Sequence, residues 1–225
     1  MGAKQEAQDW AAAVRRYGER AGVTYEEIGG INPVDAPVAL CVGGVNRLTG
    51  QLVEGFWGAS CDADEKEIGS LFNKATLPTA ILAKAHMPDL AKVVPAFNVE
   101  SIEGAEALTQ RFSRKVEFES IDFNKRFWAT VPKEHDPVAL RELFSPGFLT
   151  WVTTMTGEID FGVNDRQLWF LWRLRERSDT ELKSALKNAG ELFKRLQGEM
   201  DESGIHTYPP GPWHAGLEPF PADQG

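Results

Sequence analysis

Apolar residues recur at every third or fourth position in two long stretches, and this spacing predicts amphipathic helices. Residues 179–200 carry the more regular stripe, which follows a capping box formed by Ser178 and Glu181. Residues 4–20 repeat the pattern near the start of the chain. The apolar positions are Trp10, Val14 and Tyr17 in the first stretch, and Leu182, Ala185, Leu186, Ala189, Leu192, Phe193, Leu196 and Met200 in the second.

Residues 116–155 are the most strongly patterned part of the chain. The order of apolar and turn-forming residues predicts a strand, a short turn, a second strand and a helix in two parts. Asp136-Pro137 and Ser145-Pro146 each combine an N-cap residue with a proline at the first helical position, which favours two helix starts. Gly157 lies just past the last apolar position and suits a C-terminal helix stop.

Alternation of apolar and polar residues predicts two β-hairpins. The first is expected to pair 38–47 with 51–60 around a turn at Thr49-Gly50, which places Gly44 opposite Gly55. The second pairs 159–163 with 168–172 around Asn164-Asp165. Because residues 168–172 are apolar on both faces, we expect this strand to lie inside the sheet or to be covered on both sides.

Together these elements predict an α+β protein with a mainly antiparallel sheet, built from hairpins, and amphipathic helices packed on it. Residues 1–203 are expected to form a single domain. An alternative is two similar halves, about 22–115 and 116–200, since each half holds a hairpin with a helix beside it. Residues 204–225 contain five of the 13 prolines and are expected to form an extended tail.

Composition excludes several classes of protein. The chain has 225 residues, 42% hydrophobic and 25% charged, which suits one large domain or two small ones. Its net charge of −9 argues against general binding to nucleic acid or to anionic membranes, because both require clustered Lys and Arg. No signal peptide and no membrane-spanning apolar run is evident, so a soluble cytoplasmic protein is expected. Cys41 and Cys61 are interpreted as free thiols of a reducing compartment.

Known catalytic patterns are missing from the sequence: it has no phosphate-binding loop, no dinucleotide fingerprint, no nucleophile elbow and no zinc-binding pattern. Its four histidines do not group into three or four ligands, so no metal and no cofactor are predicted. His135, between Glu134 and Asp136, suits either an acid–base centre or a solvated loop before a capped helix.

A candidate ligand pocket lies near the first hairpin. Facing glycines leave room for a ring or a second backbone to approach closely, which suits the floor of a ligand site; the alternative is a ring from the helix layer or a bulge. The residues assigned to this pocket are Gly43, Gly44, Gly55, Trp57 and His135.

The tail offers a candidate partner-binding segment, since polyproline-type segments dock into aromatic grooves. Its residues are Tyr208, Pro209, Pro210, Pro212 and Trp213. The alternative is that the tail packs on its own domain. A second candidate is a basic patch for an acidic partner segment, with a solvated strand end as the alternative. This patch consists of Arg173, Arg175 and Arg177, joined by Arg166 and Lys125.

Two segments resemble an uncharacterised bacterial domain family of actinobacterial type. The first is Asp122-Phe123-Asn124-Lys125-Arg126-Phe127, similar to an acidic-Phe-x-Lys-x-Phe motif. The second, residues 139–148, is similar to an Ala-Arg-x-Leu-Leu-x-Pro helix. The resemblance spans about residues 20–200. It implies a similar fold but no particular reaction or ligand. Some relatives carry transmembrane segments, which implies a membrane-peripheral or envelope-associated role as one alternative.

The first hypothesis for function is therefore a non-enzymatic protein that acts through protein–protein interaction, with an unknown partner or as a homo-oligomer. The second is a small-molecule-binding protein or enzyme that uses the cleft near the glycine-rich hairpin.

Overall fold

The computed structural model describes residues 3–26, 45–52, 55–63, 80–86, 96–102, 113–164 and 167–202. These residues form five helices and nine strands, which confirms the α+β class. In chain order the elements are α1 Ala3–Ala21, β1 Thr24–Glu26, β2 Val45–Leu52, β3 Gly55–Ala63, β4 Ala80–His86, β5 Phe97–Ser101, β6 Ser113–Val116, α2 Ile121–Arg126, β7 Phe127–Pro132, α3 Pro137–Leu143, α4 Pro146–Thr154, β8 Ile159–Asn164, β9 Gln167–Arg173 and α5 Asp179–Glu202.

All nine strands belong to one sheet, in the order β1-β2-β3-β4-β9-β8-β5-β7-β6. Every neighbouring pair is antiparallel. The strand β9 lies in the middle of the sheet, which confirms the position expected from its two apolar faces. Near the centre of the sheet, strands from the first part of the chain (β4 and β5) lie beside strands from the second part (β9, β8 and β7). The division into two similar halves stays a prediction.

The two faces of the sheet carry different residues. The helix face includes Phe161 and Phe170, which share one large core with the buried residues of all five helices. Because successive side chains of a strand point to opposite faces, Asp160, Trp169 and Arg173 lie on the other face, here called the second face. A separate small apolar cluster on the second face consists of Ala80, Leu82, Trp169 and Leu171.

The two long helices bury the stripes predicted for them. In α5 every stripe residue from Leu182 to Met200 is almost inaccessible to solvent. The capping box is half formed: the Ser178 hydroxyl accepts the Glu181 N–H at 3.2 Å. The Glu181 carboxylate instead accepts the indole N–H of Trp172 at 2.9 Å, which ties the first turn of α5 to the central strand β9.

The central stretch differs from its prediction in one element. Where a turn was expected between two strands, the chain forms the one-and-a-half-turn helix α2. The Ser120 hydroxyl caps it by accepting the Phe123 N–H, and Phe123 is fully buried against Phe118 and Phe127. Burial of this large ring anchors the short helix to the core.

The two-part helix is confirmed, with separate N-caps at Asp136 and Ser145. Glu199 of α5 fixes the junction, because its two carboxylate oxygens accept the N–H and the hydroxyl of Ser145 at 2.7 and 2.8 Å. Helix α4 ends at Thr154, earlier than Gly157 suggested. Gly157 has φ of +95° and lies under the Trp172 ring, at a position where a side chain would be strained.

Both hairpins are present, but their turns were misplaced. In the first, Leu52 pairs with Gly55 and Thr49 pairs with Gly58, so Thr49 and Gly50 lie within the paired strand and do not form its turn. Gly50 lies inside β2, opposite Trp57. The expected facing of Gly44 and Gly55 is therefore wrong. The pleat repeats every two residues, so an even shift leaves the apolar pattern unchanged and the pattern alone could not fix the register. In the second hairpin Asn164 pairs with Gln167, so Asn164 belongs to the strand and not to the turn.

Candidate functional site

A buried ion pair crosses the centre of the second face. Asp160 on β8 is 0% exposed and Arg173 on β9 is 6% exposed. The guanidinium Nη2 of Arg173 donates to Asp160 Oδ2 at 2.6 Å. The other oxygen of Asp160 accepts the backbone N–H of Ser101, at the end of β5, at 2.8 Å. One carboxylate thus joins three strands, and both of its oxygens are occupied.

Glu100 lies beside this pair. The register that pairs Val99 with Phe161 continues to place Glu100 across from Asp160 on the same face. Glu100 is only 5% exposed. Burial, and secondly the negative charge of Asp160, raise the pKa of Glu100 from its ordinary value of 4.5 to about 7, while Arg173 acts in the opposite direction. Glu100 is therefore a carboxyl group that exchanges its proton near neutral pH.

Burial also acts to raise the pKa of Asp160, against the lowering effects of the Arg173 charge, the Arg173 hydrogen bond and the Ser101 N–H. The net direction is upward, because the carboxylate is cut off from water. A network of this kind is expensive to bury, and replacement by apolar residues of similar volume would often cost nothing in stability. Its presence on a sheet face therefore suggests a role beyond folding.

The guanidinium of Arg173 has an unused donor. Its Nε lies 3.9 Å from a carboxylate oxygen of the half-exposed Glu158, and its Nη2 binds Asp160. Its Nη1 is buried and has no hydrogen-bond partner among the residues that the structure describes. An unmade hydrogen bond of a buried donor costs about 1–3 kcal/mol, so such atoms generally have a partner.

A shallow depression of about 280 Å³ lies over the two outer strands next to β5. It is lined by Ser113, Lys115, Trp128 and Thr130 of the neighbouring strands β6 and β7. The register places Trp128 directly opposite Glu100, which connects the depression to the buried group. The Lys115 ammonium lies 4.6 Å from the centre of the Trp128 ring and 2.9 Å from Glu117. We call Glu100, Asp160, Arg173, Lys115 and Trp128 together the second-face site.

The second-face site can hold a polar group at its inner end and an apolar group at its outer end. Arg173 Nη1 supplies a charged donor, and Glu100 supplies a carboxyl that either donates or accepts. Trp128 supplies a flat apolar surface with a cation above it. Metal ligation is not indicated: within the described ranges no group of three or more His, Cys, Asp or Glu is placed to hold an ion.

The candidate pocket predicted near the first hairpin does not come together in the described residues. Gly55 and Trp57 lie on β3, whereas His135 follows β7, and four strands lie between β3 and β7. That separation corresponds to five steps of about 4.8 Å along the sheet. Gly43 and Gly44 lie outside the described residues.

His135 belongs to a turn in which its N–H donates to the Pro132 carbonyl at 3.0 Å. The neighbouring Asp136 carboxylate accepts the Val138 N–H at 2.9 Å, so it serves as the cap of α3. This geometry favours the capped-helix interpretation of the segment over an acid–base centre, although the His135 Nδ1 is buried without a partner in the described part of the chain.

The predicted basic patch is altered by burial. Arg173 does not lie on a solvated strand end, since it is enclosed in the ion pair with Asp160; that expectation was wrong. Arg175 and Lys125 are exposed. Arg166 and the tail residues Tyr208, Pro209, Pro210, Pro212 and Trp213 lie outside the described residues, so the tail segment stays a prediction.

Sequence reasoning missed Glu100 and Asp160, although one signal could have found Asp160. In Ile-Asp-Phe-Gly-Val an acid occupies one face of a strand whose hairpin partner is apolar on both faces. An acid at such a position needs a buried cation, and Arg173 at the end of the partner strand is within reach. Glu100 lies in a short strand with no clear pattern, and no comparable signal marks it.

The segments that resemble the bacterial family have structural roles in the fold. The Asn124 amide accepts the Phe118 N–H and donates to the Phe118 carbonyl, at 3.1 and 2.6 Å. Arg126 donates to the carbonyl of Thr153, in the last turn of α4, and to the carbonyl of Gly157, just beyond it. These contacts agree with a motif that specifies a fold rather than a reaction.

Comparison with protein-family models, with curated proteins and with solved structures found no match to this chain. The resemblance to an actinobacterial family therefore stays a prediction. No helix within the described ranges is long and apolar enough to cross a bilayer.

Proposed function

We propose that the protein binds a small polar molecule at the second-face site, between Arg173 and Trp128. The observation that carries the proposal is the buried Arg173 guanidinium, which holds Asp160 with one nitrogen and leaves Nη1 without a partner in the described structure. A structural ion pair could be completed by a second bond to the same carboxylate. Here that oxygen accepts the Ser101 N–H, and Nη1 makes no hydrogen bond to it.

The size of the site supports a small ligand. The depression beside Trp128 has about 280 Å³, near the lower end of the volumes of ligand pockets. Lys115 and Trp128 form part of its wall, and Glu100 lies on the next strand, directly opposite Trp128. This proposal moves the predicted small-molecule site from the glycine-rich hairpin to the other end of the sheet.

Thermal unfolding with a panel of small organic acids, amides, amines, sugars and nucleosides tests this function. A compound present at ten times its Kd stabilises the folded state by about 1.4 kcal/mol. For a chain of this size that raises Tm by about 3–6 °C. Arg173→Lys keeps a cation beside Asp160 but loses the fork that presents Nη1, so it should abolish the shift. Arg195→Lys, at an exposed position of α5, is the matched control and should keep it.

The proposal fails if no compound raises Tm, or if the shifts are equal in Arg173→Lys and the wild type. Trp128→Phe gives a second readout, because a ligand packed on the indole should lose affinity when the ring becomes smaller. Intrinsic fluorescence of the wild type, compared with that of Trp128→Phe, then reports whether the ligand contacts this ring.

Protein–protein interaction remains a second candidate, and one observation favours a particular surface. The strand β6 is the last strand of the sheet and carries the exposed cations Arg114 and Lys115. A terminal strand can accept an added strand from a partner, and these cations suit an acidic one. A fluorescent peptide of alternating Glu and Val should bind, and a Lys-Val peptide should not. Lys115→Glu should abolish binding, whereas Lys187→Glu on α5 should not.

The interaction proposed for the tail is tested separately by light scattering on the full chain and on a chain that ends at Ser203. A difference in mass would assign assembly to residues 204–225. The membrane-peripheral alternative is tested by co-sedimentation with vesicles of anionic lipid at low salt, and the acidic net charge argues against it.

A further inference from the structure

We propose that the ligand of the second-face site is a small organic carboxylate, whose oxygens bind Arg173 Nη1 and the Glu100 carboxyl and whose apolar part lies on Trp128. This inference rests on the proposed function and adds the chemical class of the ligand. It also implies that binding takes up a proton.

The first argument is the count of donors and acceptors. Asp160 has both oxygens occupied, by Arg173 Nη2 and by the Ser101 N–H, so it offers little to a ligand. Arg173 Nη1 can only donate. A ligand that contacts this atom must therefore accept, and a carboxylate is among the acceptors that a guanidinium binds most strongly.

The second argument is the charge around Glu100. Asp160 faces it from β8, with Glu158 just before the start of that strand, and Arg173 faces it from β9. On β7 its neighbour is the uncharged Trp128, beyond which lies the Lys115 ammonium of β6. Asp160 and Arg173 neutralise each other, so the charge that decides whether an anion can bind is that of Glu100.

The third argument is the protonation of Glu100. Because burial raises the pKa of this carboxyl to about 7, it is held in its neutral form at little cost near neutral pH. The neutral form has an O–H that can donate to a ligand carboxylate, as Arg173 Nη1 does. The ionised form would repel the same ligand. Binding must therefore be coupled to protonation of Glu100.

The direction of this coupling is fixed by linkage. A bound carboxylate raises the pKa of Glu100 further, because it favours the neutral form. Proton uptake on binding is then small well below pH 7 and rises as the pH passes the pKa of the free site. At pH 7.5 a group with a pKa of about 7 is roughly three-quarters ionised, so binding should take up roughly 0.75 proton.

Calorimetry with three matched probes tests the inference: 3-phenylpropionate, 3-phenylpropionamide and 3-phenylpropylamine. Titrations at pH 7.5 in phosphate and in Tris, whose ionisation enthalpies differ, give the number of protons taken up. We expect the acid to bind with uptake of roughly 0.75 proton, and about tenfold more weakly at pH 8 than at pH 6. We expect the amide and the amine to bind much more weakly.

Glu100→Gln is the decisive variant, because the amide N–H₂ can still donate but carries no titratable proton. It should bind the acid with no proton uptake and with the same affinity at pH 6 and pH 8. Glu117→Gln, at an exposed acid that pairs with Lys115, is the matched control and should keep the proton uptake of the wild type. If Arg173→Lys does not fold, these two variants still test the inference.

The outcomes separate the two proposals. If the amide or the amine binds as well as the acid and needs Arg173, the carboxylate class is wrong and the binding function stands. Acid binding without proton uptake, or uptake that persists in Glu100→Gln, overturns the role of Glu100. If neither these probes nor the compound panel bind, Arg173 Nη1 is satisfied by water alone and both proposals fail.

Discussion

Replacement of Asp160 with alanine should destabilise the protein more than most single substitutions. The Asp160 carboxylate receives the Arg173 guanidinium at 2.6 Å and the Ser101 N–H at 2.8 Å, and it is fully buried. Alanine at this position leaves a buried cation without its counter-ion and a backbone donor without an acceptor.

The magnitude follows from these two losses. Removal of one partner from a buried ion pair costs about 3–5 kcal/mol. An unmade backbone hydrogen bond adds about 1–3 kcal/mol, less where water can enter the space left by the carboxylate. We expect a total loss of about 4–6 kcal/mol in the free energy of unfolding. At about 2–4 °C per kcal/mol, Tm falls by about 8–24 °C.

The assay is urea unfolding at pH 8 of a double-mutant cycle with Asp160→Ala, Arg173→Met and both together. Because the double variant buries no unpaired charge, it should be more stable than Asp160→Ala alone, with a coupling energy of about 3 kcal/mol. The exposed pair of Glu191 and Arg195 on α5 is the control. Its cycle should give a coupling energy of about 0.3–0.5 kcal/mol.

Two results would refute this reasoning. A loss below about 1.5 kcal/mol for Asp160→Ala would mean that the carboxylate is solvated rather than buried. A coupling energy equal to that of the control pair would mean that the Arg173 guanidinium is likewise solvated rather than buried. In either case the argument that Nη1 is kept for a ligand would lose its basis.

Three further predictions concern stability. Glu100→Gln should stabilise the protein by up to about 3 kcal/mol at pH 8 and hardly at all at pH 4. The reason is that the pKa of Glu100 is about 7 in the folded state, so the wild type loses stability as the pH rises from 4.5 to 7. Urea unfolding across this pH range checks the sign. Gly162→Ala should cost about 1–3 kcal/mol in thermal unfolding, because a Cβ at this position would lie 2.2 Å from a backbone carbonyl oxygen. Gly198 occupies an open helical position, so Gly198→Ala should instead stabilise the protein by about 0.5–1 kcal/mol. Glu199→Ala should cost about 2 kcal/mol in urea unfolding, because it removes both hydrogen bonds to Ser145. A loss of stability as small as that of a surface substitution would mean that the junction of α3 and α4 is solvated.

The helices were predictable because their information is local. A stripe of apolar residues at a spacing of 3.6 specifies which face is buried, whatever lies opposite. The stripes of α1 and α5 and the two caps at Asp136 and Ser145 therefore appear in the structure as the sequence indicates.

The hairpins were predictable as elements but not in register. Alternation with a period of two is preserved by any even shift, so the pattern could not distinguish a turn at Thr49-Gly50 from the register in which Leu52 pairs with Gly55. The short helix α2 was missed for a related reason: six residues carry too few apolar positions to separate a helix from a turn, and burial of Phe123 decides the outcome.

The second-face site depends on strand order, which the sequence does not contain. Glu100, Asp160 and Arg173 are separated by 60 and 13 positions along the chain, and they meet because β5, β8 and β9 are neighbours in the sheet. The same ordering separates Gly55 from His135 by four strands.

The sequence by itself determined the α+β class, the helical faces and the caps, because these follow from spacing and composition within a few residues of one another. Tertiary structure alone decided that Arg173, expected in a solvated patch, is buried on Asp160, and that Glu100 lies beside both. Burial changes the chemistry of these groups, since the loss of water raises the pKa of a carboxyl and makes an unused donor costly. That loss of water depends on the whole sheet, and no local pattern records it.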